Sequence, residues 1–170
     1  MRVVLAIVVP LAAALLQGSV VPFVSVGGAR PTLVVLAAAC WAVAAGAREA
    51  VWWAFLGGIA SDLLSGGPLG ATAASALVPV AVLGLAENPS RPRSVAGGAV
   101  RVVLASLAAG LLYLGTLALA GATVGDVPLL VAAVISGAAY NGILAIATYP
   151  IFRAVRRMTE KQASFSGQAW

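Results

Sequence analysis

The chain has 170 residues, of which 15 are charged: ten Lys or Arg and five Asp or Glu, with no His. Apolar side chains make up 62% of it, whereas a soluble domain carries about 25% charged residues and far less apolar surface. A soluble enzyme, a nucleic-acid-binding domain and a disordered tail are thereby excluded, and the chain belongs in a bilayer.

The charges divide the chain into apolar runs, and a spanning helix needs about 20 such residues. The first run, 3–29, predicts a span over 3–24. Arg2 ahead of Val3–Leu16 imitates a signal peptide, but Gln17–Gly28 has no clear small-x-small cleavage site, so the segment reads as a retained span. Pro22 and Gly27-Gly28-Ala29-Arg30-Pro31 mark the first connection. The second span, 31–47, is apolar on every side from Leu33 to Ala45, which is a helical pattern and not that of a barrel strand. The third, 50–65, opens on Trp52 and Trp53, read as interfacial anchors, and runs past Asp62. Ser65-Gly66-Gly67-Pro68 is a tight turn into the fourth span, 69–86. Glu87–Arg93 is a polar loop. A fifth span covers 96–120, and Gly121–Pro128 leads into a sixth over 128–152. Pro10 and Pro79 are expected to kink spans one and four, and Pro150 to end span six. The expected fold is therefore all-α: a compact six-helix transmembrane domain over 1–152 and a basic cytoplasmic tail over 153–170.

With the N-terminus in the cytoplasm, nine cations fall on the inner side: Arg2, Arg48, Arg91, Arg93, Arg101, Arg153, Arg156, Arg157 and Lys161. Only Arg30 falls outside, a strong positive-inside asymmetry. The same parity places Asp62 and Asp126 outside and both termini in the cytoplasm of a multi-pass protein. The tail would lie on the anionic inner leaflet.

The missing chemistry is equally informative. Without His there is no His-based metal site and no Ser–His or Cys–His pair. The single Lys161 lies in the tail, and Cys40 stands alone as a small hydrophobe. No phosphate-binding loop can follow a strand. No enzymatic activity, metal or cofactor is expected, and no nucleic-acid partner.

In lipid, helices associate through small residues that let backbones approach. Three stripes at four-residue spacing do so: Ala38, Ala42 and Gly46; Ala54, Gly58 and Asp62; Ala133, Gly137, Asn141 and Ala145. They are read first as internal packing, with docking of a partner's helix or a second copy as the alternative. Asp62, one turn before Ser65, is expected to accept hydrogen bonds from the N–H groups that open span four. Asn141, mid-span, must find a partner across helices, as must Gln17.

The stretch Phe55-Leu56-Gly57-Gly58-Ile59-Ala60-Ser61-Asp62-Leu63-Leu64-Ser65-Gly66-Gly67-Pro68-Leu69-Gly70 resembles the signature of MreD, the rod shape-determining membrane protein family of bacteria. Gly58, Asp62, Ser65, Gly66, Pro68 and Gly70 match it, while Ala54 stands where that family usually has Gly. Leu16-Gln17-Gly18-Ser19, Pro31, Asn141 and Pro150 followed by Arg153 resemble it more loosely. Thr32 stands where the family often has Asp after the proline.

The resemblance implies a non-enzymatic subunit of the cell-elongation machinery. It would scaffold an MreC-like protein, a RodA-like polymerase and its transpeptidase for peptidoglycan synthesis. The family's six-helix fold is similar to that of substrate-binding subunits of energy-coupling factor vitamin transporters, which supplies an alternative reading. Against that alternative, the outer side offers few polar groups to a ligand: Gln17, Arg30, Asp62, Asp126 and some Ser and Thr. Gly58, Asp62, Pro68 and Gly70 are expected to be the structurally critical group.

Overall fold

The computed structural model describes the backbone of residues 2–25, 29–88, 94–121 and 125–166, with side chains from residue 4 to residue 159 within them. Gly27, Gly28, Arg91, Arg93, and the side chains of Arg2 and Lys161 lie outside the described residues. The described residues form α1 (Arg2–Ser19), α2 (Leu33–Ala45), α3 (Ala47–Ser65), α4 (Ala71–Ala86), α5 (Val95–Leu119) and α6 (Val127–Ser166), with a short 3-10 turn at Val21–Phe23. Two segments are long and apolar enough to cross a membrane: α5 and residues Val127–Thr159 of α6. Apolar stretches of α1, α2 and α4 are shorter.

The helices run alternately up and down. One end, here the near end, carries the starts of α1, α3 and α5; the far end carries the starts of α2, α4 and α6. At the centre stands α2, only 13 residues long and buried without interruption from Val34 to Ala44. It packs against all five other helices. A helix that is apolar all round is satisfied only when it is covered all round, and Ala38, Ala39, Cys40 and Ala42 let the others come close.

Gly46 departs from its expected place on a packing stripe. It sits between α2 and α3 with φ +91° and ψ −177°, a backbone state that glycine alone enters readily. One residue therefore turns the chain from α2 straight into α3. On the second stripe Gly58 is a true packing glycine: a Cβ there would lie 2.4 Å from the Cα of Ala73 on α4. Gly84 meets the backbone of Ala47 as closely, at 2.5 Å.

Two further expectations are corrected at the near end. Trp53 is not an interfacial anchor. It is buried and stacked on Trp41 with ring centroids 4.6 Å apart, and Phe152 stands edge-on to both rings. Its neighbour Trp52, on the outward face, is 60% exposed. Nor does Pro150 end the last helix, which continues to Ser166. The turn beyond the proline keeps making contacts: Phe152 joins the tryptophan pair, and Arg156 donates to the Ala44 carbonyl at the end of α2. These outweigh the one hydrogen bond that proline removes. Charges pin the same end. Glu87 pairs with Arg101 at 2.6 Å, and the indole N–H of Trp41 donates to Glu49 at 3.1 Å.

Candidate functional site

Most of the residues singled out from the sequence gather at the far end. The αL conformations of Gly66 (φ +67°) and Gly70 (φ +89°) shape the turn from α3 into α4. Within it, the Ser65 hydroxyl donates to the Asp62 carbonyl, and the Pro68 carbonyl accepts from Ala71 N–H. The Asp62 side chain is buried and reaches the start of α4. Its carboxylate accepts from Gly70 N–H at 2.8 Å and from Thr72 N–H at 3.1 Å. The N-cap position of α4 is a glycine with no side chain to offer, so a carboxylate from the preceding helix does the capping, helped by the positive end of the helix dipole.

The start of α2 is held in the same way, from two directions. Gln17 of α1 accepts from Val34 N–H at 3.2 Å. Asn141 of α6, fully buried, accepts from Thr32 N–H at 3.1 Å with its carbonyl oxygen. Its amide nitrogen donates to the Thr32 hydroxyl at 2.7 Å and to the Ser106 hydroxyl at 2.9 Å. Asn141 thus ties α6 to α2 and α5 in one network. Thr32, where an acid might have stood, is a neutral partner matched to an amide. Gly137, one turn earlier on α6, is where a Cβ would fall 2.8 Å from the Arg30 carbonyl, so the chain entering α2 runs against α6.

Above the Asn141 network lies a cavity of about 340 Å³. Its lining draws Ser61 and Ser65 from α3, Thr72 and Ser75 from α4, and Ser106 and Tyr113 from α5. Gln17, Arg30 and Thr32 line it too, and α6 supplies apolar wall from Leu130 to Ala138. Of the sequence candidates, Ser65 lines the cavity, while Asp62 and Asn141 brace its walls through Thr72, Thr32 and Ser106. Gly58 lies lower, in the α3–α4 contact. The cavity itself was missed. The signal was there as hydroxyl residues at helical spacing, 61 and 65, 72 and 75, which three- and four-residue steps place on one face. Counted singly they looked sparse, but the fold makes them converge. Among the described residues no three Cys, Asp or Glu side chains come together as a metal site.

The family model for rod shape-determining protein MreD matches residues 1–159. The chain belongs to the MreD family. That match takes in all of α1 to α5 and α6 as far as Thr159, so the turn, both braced helix starts and the cavity lie within the MreD portion. Membership assigns the chain to a membrane-associated family of rod-shape determination. Neither the curated proteins nor the solved structures compared with the chain give a match.

Proposed function

We propose that this MreD-family protein is a non-enzymatic scaffold of the cell-elongation complex, spanning the inner membrane six times with both termini in the cytoplasm. It would hold an MreC-like protein, a RodA-like polymerase and its transpeptidase in one assembly. The observation that carries this reading is how the family-signature residues are used. Asp62, Ser65, Pro68, Gly70 and Asn141 are committed to backbone hydrogen bonds and turns that fix helix positions. Residues spent on fixing shape suit a protein whose product is a shape.

Six spans agree with the alternation of the helices and with the cation asymmetry of the sequence. Lipid-facing surface is plentiful, with Leu104, Leu111, Ile135, Ile143 and Ile146 all exposed on α5 and α6. The short central α2 need not match the bilayer, because protein covers it. At about 1.5 Å per residue α6 is about 60 Å long, twice the hydrocarbon thickness of about 30 Å. Its Arg153, Arg156 and Arg157 would therefore stand at or beyond the inner headgroups, on the part of α6 that runs on to Ser166.

The test is purification of a tagged copy from its native membrane in mild detergent, with mass spectrometry of the co-purifying proteins. Recovery of an MreC-like coiled-coil protein with a RodA-like polymerase is expected. Recovery of a pair of ATPases and their coupling membrane protein instead would overturn the scaffold reading in favour of a transporter subunit.

A further inference from the structure

The far-end cavity has the features of a ligand site and not those of a packing fault. Its size falls within the range of small-molecule pockets, roughly 300–1,000 Å³. One side is apolar, built by Ala109, Leu114, Leu130 and Val134. The other is hydroxylic. Water alone would suit the second wall and not the first.

Ser61 is decisive. It is 7% exposed, it lines the cavity, and its hydroxyl has no hydrogen-bond partner. A buried serine is normally satisfied by its own helix, as Ser75 is here by the Thr72 carbonyl. An orphaned hydroxyl beside a cavity is a donor with no partner among the described residues.

The chemistry of a suitable partner follows from which protons are uncommitted. Ser106 and Thr32 accept hydrogen bonds from Asn141, which leaves their own hydroxyl hydrogens to donate. The Thr72 hydroxyl has no bond among the described residues and also lines the space. Four hydroxyls on four separate segments thus offer donors. Among the lining residues Arg30 is charged and none is acidic. Asp62 does not line the space, and its carboxylate is occupied by the backbone of α4. Several donors, one cation and no acid select an anionic, acceptor-rich group, and the opposite wall selects an apolar body.

We propose that the far-end cavity binds a small anionic amphiphile, its phosphate or carboxylate head held by the hydroxyls of Thr32, Ser61, Thr72 and Ser106 with Arg30 as counter-charge. The apolar body rests on the α5–α6 wall. A phospholipid headgroup and a free organic phosphate share this chemistry. The site does not depend on the scaffold reading, since it rests on the cavity's lining alone.

The test uses the full chain purified in neutral dodecyl maltoside. Three probes are titrated with native mass spectrometry as the readout: dioleoylphosphatidylglycerol, dioleoylphosphatidylcholine and hexyl phosphate. Ser61→Leu puts an apolar side chain where the orphan hydroxyl stood, Ser61→Ala removes that hydroxyl with almost no change in volume, and Arg30→Gln removes the counter-charge. The first equivalent of phosphatidylglycerol should bind about tenfold more tightly than phosphatidylcholine, the scale of one charge-assisted hydrogen bond. Arg30→Gln and Ser61→Leu should each abolish that preference, and Ser61→Ala should weaken it a few-fold. Hexyl phosphate binding to the wild type and not to Ser61→Leu would identify a free acid as the source. Preference for phosphatidylglycerol without hexyl phosphate binding would identify a lipid. Equal binding of the two lipids with no hexyl phosphate bound, or binding unchanged in Arg30→Gln and Ser61→Ala, overturns the proposal. Those two variants decide the matter if Ser61→Leu fails to fold.

Discussion

The two ends of this bundle solve the same problem differently. At the near end, space between helices is filled. Trp41, Trp53 and Phe152 pack face and edge, Tyr149 covers Gly98, and Glu87 meets Arg101 in an ion pair. At the far end, small polar groups from neighbouring helices hold the starts of α2 and α4, and a cavity remains beside them. The lesson is that a membrane bundle can be rigid without being solid. Capping across helices fixes a helix start through hydrogen bonds and leaves room beside it.

Substitutions at the two ends should break this contrast open. The largest effect belongs to Trp53→Ala, which deletes the centre of the near-end aromatic cluster. A loss of about 3–5 kcal/mol is expected, as for other buried Trp truncations, read by denaturation in mixed micelles. Next comes Asn141→Ala. It strands the Thr32 N–H and two hydroxyls and should cost about 2 kcal/mol, given that orphaned buried groups cost about 1–3.

Asp62→Ala should cost about 1–2 kcal/mol by uncapping α4, visible as a lower yield of monodisperse protein on gel filtration. Asp62→Asn, which keeps one acceptor oxygen, should recover part of it. If Asp62→Ala stays fully folded but no longer co-purifies with its partners, the carboxylate acts in a contact and the capping role is too small.

A matched pair of glycine substitutions sharpens the contrast most. Gly84→Ala and Gly115→Ala are the same change at opposite ends. The first drives a methyl into the Ala47 backbone, whereas nothing lies within 4 Å at the second. Gly84→Ala should therefore lower the melting temperature, by overpacking worth about 1–3 kcal/mol. Gly115→Ala should raise it slightly, since Ala exceeds Gly in a helix interior by about 0.5–1 kcal/mol. Equal melting temperatures would refute the difference in packing.

How much of this the sequence announces depends on whether a residue's role is local. Asp62 capping the next helix was legible because donor and acceptor lie on either side of one short turn, and charge in lipid must be met. The helical class was legible from the long charge-free runs. Trp53 was misjudged because a tryptophan near a helix start is commonly interfacial. Its burial depends on Trp41 and Phe152, which come from other helices. Pro150 was misjudged because a local breaker rule ignores the contacts made further along. The cavity showed in the sequence only as pairs of hydroxyl residues at helical spacing; like those of the Asn141–Thr32–Ser106 network, its parts lie on separate helices, and only the crossing of those helices shows which hydroxyls converge.

The brevity of α2 explains where the hollow comes from. Thr32 and Ser106 stand level, joined through Asn141. From Ser106, α5 rises for about another 20 Å to its end at Leu119, while α2 begins at Leu33 and has no counterpart alongside. The central post stops short while α5 and α6 continue, so a hollow is left beside its start. Extending α2 by two turns would fill the hollow, but it would also take up the Thr32 and Val34 N–H groups that now bond Asn141 and Gln17. The volume of the hollow is therefore tied to where one helix starts, and so to the bonds that hold that start.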